Sequence, residues 1–588
     1  MSSLQSKISD IFKSSFSKNG YDAKFGSVVE SQRPDLCQFQ CNGALAVAKS
    51  AKMNPRVIAE KIVSDLENEK AIKNLSIAGP GFINISVSED FIAKHINQIN
   101  NEEKLGCDID KKKSRTIIDF GGPNVAKPMH VGHLRSAIIG DSIQRLFKFI
   151  GSDVISDNHM GDWGTQMGML ICELKLREPN LPYFDENFSE EYPTEPPLTI
   201  SDLELMYPEA SKRCKANDDA MAEAVAATDE LQKGRKGYIE LWKHFVALSV
   251  KTLKRDFDKL DVSFDYWLGE SFYTKRMGKL VSRLEKDSDA VRSEGALVLP
   301  VAEEGDKKEI PPVMLVKSGG GFLYGTSDIA TIEYRMEEFN ADRILYVVDK
   351  RQSLHFEQVF RAVRKTNIVK TDTILEHIGF GTVNGTDGKP FKTREGGVMK
   401  LGDLIKLVID KAEERMAEAG VGQDFSKNEQ KDIAQKIGMA ALKFADLSNH
   451  RTSDYVFDID KFSRFEGKTG PYLLYSAVRI KSILRKAKDA GIVEGEILAP
   501  TEQEVALLLT LSKLPDVLHA SMDNYAPNIL CDFAYELAQE FNRFYRNSHI
   551  LREENGALQS SWLSISALAL KEFELILSLL GIEIPERM

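Results

Sequence analysis

The stretch that decides the fold class of this 588-residue chain is Pro123-Asn124-Val125-Ala126-Lys127-Pro128-Met129-His130-Val131-Gly132-His133-Leu134-Arg135. It follows a short β-like run at residues 116–120 and leads into a helical pattern at residues 134–150. A strand, a tight loop and a helix start form the layout of a nucleotide site at the edge of a parallel sheet. The free N–H groups and the dipole of a helix N-terminus suit a phosphate. The stretch therefore predicts a Rossmann-type α/β domain.

Two histidines in this loop, His130 and His133, lie three residues apart and can share one side of the first helical turn. Gly132 between them has no side chain, which lets a flat base or ribose approach the backbone. Without further context, such a pair indicates surface residues or part of a metal site. A zinc site needs a third ligand nearby, and we expect no metal here.

Length and composition narrow the class of protein. A chain of this length predicts three or four domains. Its formal net charge of −11 gives no overall basic field, so any contact with RNA must come from local patches.

Six scattered cysteines fit a reducing cytoplasm better than a disulfide framework. The chain shows no apolar signal segment and no run of about 18 apolar residues. We therefore expect a cytoplasmic protein that does not span a membrane.

The longer string around His130 resembles the HIGH signature of class I aminoacyl-tRNA synthetases, and nearly every letter of it is similar to that motif in arginyl-tRNA synthetases. A second string, Asn-His-Met-Gly-Asp-Trp-Gly-Thr-Gln at residues 158–166, follows another strand-like run. It resembles a loop that helps to close the arginine pocket in the same family. The resemblance covers most of the chain, from Gly79 to its last residues.

An arginine pocket needs planar acceptors, because the guanidinium has five N–H donors and one carboxylate can engage two of them. Such a site would discriminate against lysine, whose ammonium is a point charge. Tyr324 and Asp328 lie four apart at a predicted helix start and share a face. On spacing alone, the favoured interpretation is an acid at a helix N-terminus and a core tyrosine. The resemblance implies that the arginine-binding residues are Asn124, His159, Glu270, Tyr324, Asp328 and Gln352.

The resemblance implies that ATP is a substrate, bound with Mg²⁺, that His130, Gly132 and His133 lie at its α-phosphate, and that no zinc is required. Residues 376–404 predict a strand, a loop rich in Gly and Lys, and a helix. The position suits the KMSKS loop of the class, but Phe391-Lys392-Thr393-Arg394 stands where that motif would be. Lys392 and Lys127 are the two candidates for the catalytic cation on the outer phosphates.

The resemblance also implies a division into three domains. Residues 1–112 would form an α+β domain that contacts tRNA, residues 113–455 the Rossmann-type catalytic domain, and residues 456–588 an all-α bundle that binds the anticodon. Residues 178–211 hold nine acidic residues and no Lys or Arg, and Pro193, Pro196 and Pro197 break regular structure there. We expect these residues to form a solvated insertion without regular structure.

The expected function is that of an arginine–tRNA ligase, which activates L-arginine with ATP and transfers it to the 3′-terminal adenosine of tRNA(Arg). We expect a monomer. Three alternatives stay open: a nucleotidyltransferase that uses the HxGH site on a small metabolite, a catalytically inactive tRNA-binding paralogue, and a synthetase for glutamine or cysteine. The acidic pocket argues against the last, because an uncharged substrate would leave buried carboxylates unpaired.

Overall fold

The computed structural model describes residues 3–107, 113–386, 388–389 and 399–588. Its secondary-structure elements group into two compact units. The terminal unit comprises Met1–Ile109, Ala412–Phe444 and Phe462–Met588, and the central unit comprises Asp110–Lys411 and Ala445–Lys461.

The helices in the described part of the chain are α1 (Leu4–Lys18), α2 (Gly43–Ala51), α3 (Pro55–Asp65), α4 (Glu89–Asn100), α5 (Val131–Ile150), α6 (Thr165–Arg177), α7 (Ile200–Ala216), α8 (Asp218–Gln232), α9 (Lys236–Lys259), α10 (Glu270–Lys286), α11 (Tyr324–Phe339), α12 (Ser353–Lys365), α13 (Leu401–Ala419), α14 (Lys427–Leu447), α15 (Ile459–Phe462), α16 (Gly470–Asp489), α17 (Glu502–Leu511), α18 (Leu514–Asp523), α19 (Pro527–Asn547) and α20 (Gly556–Leu579). The strands are β1 (Val28–Glu30), β2 (Phe39–Cys41), β3 (Ile72–Ala78), β4 (Phe82–Val87), β5 (Arg115–Phe120), β6 (Asp153–Asp157), β7 (Val291–Ser293), β8 (Ala296–Leu299), β9 (Val313–Val316), β10 (Arg343–Val347), β11 (Ile374–His377), β12 (Val383–Asn384) and β13 (Tyr455–Val456).

The terminal unit begins with an α+β region, as the sequence predicts. Its four strands form an antiparallel sheet in the order β1-β2-β4-β3. Helix α1 carries an apolar stripe, because Leu4, Ile8, Phe12 and Phe16 recur every four residues and are fully buried.

The rest of the terminal unit is helical. Helices α16, α19 and α20 pack on one another, and α17 and α18 pack on α19. The stretch Glu502–Asp523 is long and apolar enough to cross a membrane by length and composition alone. It is divided between α17 and α18, and half of it is buried inside the protein. We therefore interpret it as a pair of core helices.

The central unit is built on a parallel sheet in the order β11-β10-β5-β6. Its middle strands are covered on both faces, so β5 is buried along nearly its whole length. Helix α5 connects β5 to β6 as a crossover, with its N-terminus directly after the loop that carries His130. The predicted Rossmann-type sheet is confirmed.

The acidic stretch at residues 178–211 differs from the prediction. Its last part, from Ile200 onward, belongs to α7 instead of to an irregular insertion. Thr199 and Asp202 form a capping box at the start of this helix, and Leu203 and Met206 are buried. The capping signal outweighs the acidic composition, so the prediction is wrong for these residues.

Candidate active site

A cavity of about 680 Å³ opens at the carboxyl ends of the parallel strands of the central unit. Each strand of the sheet supplies lining residues at or just beyond its end: residues 119–122 for β5, His159 and Gly161 for β6, residues 346–349 for β10 and residues 380–383 for β11. Ligands of open α/β sheets bind at this edge. The loops that follow the four strands of the sheet therefore meet at one site.

The histidine loop forms one wall of this cavity, which His130, Gly132 and His133 all line. The N–H of His130 donates to Nδ1 of His133 at 3.1 Å, and the N–H of Gly132 donates to Nδ1 of His130 at 3.0 Å. The two rings lie 4.0 Å apart between centroids. Because each Nδ1 accepts a hydrogen bond, the proton of each neutral ring is assigned to Nε2.

Both imidazoles are neutral at physiological pH. Burial lowers the pKa of His133 to about 3, with a further contribution from His130. Burial, followed by the charge of Lys127, also lowers the pKa of His130. The loop can therefore offer two neutral Nε2–H donors to a phosphate oxygen, without holding positive charge in the absence of a ligand.

Glycine is required at position 132 by this local geometry. A Cβ atom there would lie 2.7 Å from the His130 ring, which folds back over the Gly132 backbone. The sequence predicts that a base or ribose approaches the backbone here. The structure adds a reason that the sequence does not show, which is the position of the His130 ring over Gly132.

The six residues that the resemblance implies for arginine binding line the same cavity as the histidine loop: Asn124, His159, Glu270, Tyr324, Asp328 and Gln352. Glu270 is the first residue of α10, and its N–H donates to the Met160 carbonyl at 3.0 Å. Tyr324 and Asp328 lie at the start of α11, as the spacing predicts.

Glu270 and Asp328, which form the acidic wall of the cavity, differ in their surroundings. The pKa of Glu270 is raised to about 7, mainly by burial and also by the charges of Asp162 and Asp328, while His159 opposes the shift. Asp328 instead faces an imidazole, with its Oδ2 2.5 Å from Nε2 of His355. The wall is thus acidic, but its charge is partly compensated before any ligand arrives.

Asn124 and His159 are positioned by backbone contacts of the same loops. Asn124 forms a parallel bridge with Gly161, and the Val125 N–H donates to the Gly161 carbonyl at 3.0 Å. A Cβ atom at Gly161 would lie 2.3 Å from the Asn124 Oδ1 atom, so the glycine makes room for that amide. The ring of His159 lies 5.6 Å from that of Tyr273, and its buried Nδ1 forms no hydrogen bond with any of the described residues.

Lys127 does not line the cavity in the described structure. Lys127 extends over the Tyr207 ring of α7, with Nζ 4.7 Å from the ring centroid. Lys392 lies outside the described residues. The segment that follows it is joined to the histidine loop, because the N–H of Val131 donates to the Met399 carbonyl and the N–H of Leu401 to the Met129 carbonyl.

Three potential metal ligands lie close together near the cavity. Ligand atoms of Asp119, Asp157 and His159 all lie within 4.8 Å of one another. However, the fully buried guanidinium of Arg335 already donates to Asp119 at 2.6 Å and to Asp157 at 2.8 Å. This cation neutralises the buried carboxylates. We interpret the group as an ion-pair network that fixes the ends of β5 and β6.

Some cavity residues were not assigned from the sequence. His355, Tyr346 and Asp349 belong to this group. The spacing of His355, three residues after Gln352 on the turn that enters α12, is the only sequence signal that could have indicated it.

A parallel sheet with a histidine loop at its edge, together with an acidic pocket in the same cavity, defines a class I aminoacyl-tRNA synthetase. Three family models match the chain: "tRNA synthetases class I (R), catalytic domain" at residues 95–459, "DALR anticodon binding domain" at residues 473–588, and "Arginyl tRNA synthetase N terminal domain" at residues 2–87. The chain belongs to the arginyl-tRNA synthetase family.

Known relatives agree with this assignment along the whole chain. The arginine–tRNA ligases of Alkaliphilus oremlandii and Maricaulis maris are each 48% identical to it, and each alignment covers 100% of both chains. The arginyl-tRNA synthetase structure from Plasmodium falciparum is 29% identical with a TM-score of 0.81, again over 100% of both chains. The Thermus thermophilus structure, 19% identical with a TM-score of 0.78, shares the fold.

The chain is accordingly an ATP-dependent arginine–tRNA ligase, with arginine, ATP and tRNA as its substrates. The alternative of a nucleotidyltransferase acting on a small metabolite finds no support among these relatives, and neither does that of an inactive paralogue.

Proposed function

We propose that the cavity at the strand ends carries out both steps of the ligation. In the first step, the arginine carboxylate attacks the α-phosphate of ATP, which gives arginyl-adenylate and releases pyrophosphate. In the second step, the 2′-hydroxyl of the terminal ribose of tRNA attacks the arginyl carbonyl, and AMP leaves. The observation that carries this proposal is that the histidine loop and two carboxylates line one cavity.

His130 and His133 are proposed to stabilise the α-phosphate. Their Nε2–H groups are fixed before ATP binds, because both Nδ1 atoms already accept backbone hydrogen bonds. Pre-positioned donors stabilise the charge that develops on phosphate oxygens without having to reorganise during the reaction. Little acid–base chemistry is required of these groups, which agrees with the lowered pKa values of both rings.

Glu270, Asp328 and Tyr324 are proposed to bind the arginine guanidinium. Two carboxylates and a phenol can accept its N–H donors in a planar arrangement, whereas the ammonium of lysine cannot make such paired contacts. Asn124, His159 and Gln352 would hold the remaining polar groups of the amino acid. Their shared cavity supports these roles.

Arginine binding is expected to depend on pH through Glu270. Its pKa of about 7 means that the carboxyl is increasingly protonated below neutrality, and a protonated carboxyl cannot pair with a guanidinium. Affinity should therefore be full above pH 7 and should decrease as the pH falls through 7. Each pH unit well below 7 should raise KM for arginine about tenfold for this one proton.

The pH dependence can be measured by aminoacylation kinetics between pH 6 and pH 8.5. Glu270→Gln should weaken arginine binding at every pH. It should also lower the slope of log KM for arginine against pH by one proton. KM for ATP, measured in the same reactions, is the control. A KM for arginine that does not change over this range in the wild type would contradict the assignment.

The outer phosphates are proposed to contact Lys127, Lys392 or both. Lys127 would have to leave the Tyr207 ring to reach ATP. Mg²⁺ is proposed to enter as part of the MgATP substrate. The side chains of His130 and His133 offer nitrogen donors, whereas Mg²⁺ prefers oxygen ligands and commonly binds through substrate phosphates and water.

An aromatic and basic surface on the terminal unit is proposed to contact the unpaired bases of tRNA. The Arg479 guanidinium lies 4.8 Å from the Tyr475 ring centroid and 5.6 Å from that of Tyr545. Its Nη1 donates to the Asn542 Oδ1 atom at 2.5 Å, which fixes its position. The two tyrosines are 41% and 37% exposed. Exposed rings beside a guanidinium form a stacking surface for single-stranded RNA.

Tyr475→Ala should therefore raise KM for tRNA by about 5- to 150-fold, since one base–aromatic stack contributes about 1–3 kcal/mol. Tyr475→Phe, which retains the ring, is the matched control and should stay close to the wild type. Arginine and ATP KM values should not change in either variant. Equal KM values for tRNA in the two variants would exclude stacking at this residue.

Several further properties of the chain are also proposals. The order of the three matched family models supports a division into three domains, with proposed boundaries after residues 112 and 455. Six cysteines without a disulfide among the described residues support a reducing, cytoplasmic setting. A monomer that works away from membranes is the simplest assembly for these domains, and sedimentation would test it.

A further inference from the structure

The Asp328 carboxylate, proposed above to bind arginine, is already engaged in the structure. Nε2 of His355 lies 2.5 Å from its Oδ2 atom, and the two side chains are only 28% and 19% exposed. His355 lies at the start of α12 and Asp328 at the start of α11, so this contact joins two helices at the wall of the cavity. Glu270, the other carboxylate of the wall, forms no ion pair among the described residues.

The His355 ring is held in place by its neighbours. It packs edge-on against Phe356, with centroids 5.4 Å apart. Phe356 in turn stacks on the ring of His377 at 4.9 Å, and Nε2 of His377 lies 3.0 Å from the Val348 carbonyl. The imidazole is therefore part of a packed aromatic row and not a free surface side chain.

The contact with Asp328 favours the protonated form of His355. Burial alone would lower the pKa of His355, but the hydrogen bond and the negative charge of Asp328 together outweigh it and raise the pKa above its ordinary value. The other titratable or charged groups that the described structure places around it are Tyr324 on α11, Glu270 on α10, Tyr346 on β10, Asp349 and Arg351 just after β10, and His377 on β11.

We propose that His355 is a positioning residue that holds the Asp328 carboxylate in the free enzyme and releases a proton when the arginine guanidinium takes its place. The exchange is balanced: the imidazolium–carboxylate pair and the guanidinium become a guanidinium–carboxylate pair, a neutral imidazole and one proton in solvent. The inference rests on the proposed arginine-binding role of Asp328.

Two physical arguments support the exchange. A guanidinium can engage a carboxylate with two parallel N–H donors, whereas the imidazole offers only Nε2–H to this one. Two cations on one partly buried carboxylate also repel each other, and the imidazolium is the one that can lose its charge.

The pair would also sharpen the choice of substrate. In the free enzyme it avoids leaving a partly buried carboxylate without a cation. Lysine would have to displace the same proton, but its ammonium gains no paired contact in return. The free energy required to displace the proton therefore weakens the binding of lysine more than that of arginine.

The test is the pH dependence of KM for arginine in aminoacylation. Below pH 6.5, the plot of log KM for arginine against pH should reach a limiting slope of two protons in the wild type, one from Glu270 and one from His355. This slope corresponds to about a hundredfold rise in KM for each pH unit that the pH falls. His355→Gln retains a side-chain donor but cannot carry the proton, so its slope should fall to about one proton. At pH 8.5, its KM should stay within about threefold of the wild type.

His377→Gln is the matched control, because it removes the other imidazole of the aromatic row and leaves Asp328 untouched. Its slope should remain that of the wild type. The same slope in His355→Gln and in the wild type would overturn the inference. So would a loss of kcat in His355→Gln without a change in the slope, since that result indicates a purely structural role.

A second measurement needs no variant. Calorimetry of arginine binding at pH 6, with tRNA present and in two buffers of different ionisation enthalpy, counts the protons released. More than about 1.5 protons are expected from Glu270 and His355 together. One proton or fewer would contradict the role of His355. A wild type that does not charge arginine at any pH would instead contradict the proposed function itself.

Discussion

His133→Ala is expected to slow the formation of arginyl-adenylate by about 10²- to 10³-fold, the usual effect of removing one pre-positioned donor to a charged transition state. The structure supplies the reason, because Nδ1 of His133 is engaged by the His130 backbone and only Nε2–H remains for the phosphate. The ring is neutral, so the loss is that of a hydrogen bond and not of a positive charge. Pyrophosphate exchange with arginine and tRNA measures this step.

The matched variant is His133→Gln, whose amide can place an N–H near the position of Nε2. It should retain more activity than the alanine variant. Both variants should unfold within about 1–2 kcal/mol of the wild type, since the main structural loss is one cap at the start of α5. Normal exchange in His133→Ala would show that the histidine does not contact the reacting phosphate.

Asp328→Asn is expected to reduce kcat/KM for arginine by about 30- to 4,000-fold. Removing one partner of a buried, hydrogen-bonded charge pair costs about 2–5 kcal/mol. The asparagine can still accept from His355 but cannot balance a guanidinium. KM for ATP should change less than about twofold, because the proposed contacts of ATP are made at the histidine loop.

Asp306→Asn is a suitable control for Asp328→Asn. It removes a carboxylate from the same unit that is paired with Arg361 and does not line the cavity. Its kinetics should match those of the wild type. A similar loss of kcat/KM for arginine and for ATP in Asp328→Asn would argue that the residue supports the fold and does not bind the arginine guanidinium.

Local pattern predicted much of the fold and of the site. The strand before the histidine loop, the helix after it, and the four-residue spacing of Tyr324 and Asp328 at a helix start all follow from short stretches of sequence. These features depend on neighbours in the chain, and for such features periodicity and capping are informative. Their placement in one cavity follows from the parallel sheet, which gathers loops at one edge.

The features that could not be predicted depend on contacts between distant residues. Arg335 joins two strand ends that lie about 180 and 220 positions away in the chain, and no pattern near it indicates those partners. The orientation of Lys127 depends on Tyr207 of α7. This helix was not predicted from the sequence, because the stretch is acidic and contains prolines. The contact of His355 with Asp328 likewise appears only when α11 and α12 pack.

The most direct test of the central claim, that this cavity activates arginine, is ATP–pyrophosphate exchange with tRNA present, with lysine as the competing amino acid and Asp328→Asn as the matched variant. We expect exchange that depends on arginine, is absent with lysine, and falls at least about 30-fold in Asp328→Asn. Exchange supported equally by lysine, or unchanged in the variant, would contradict the proposed arginine site.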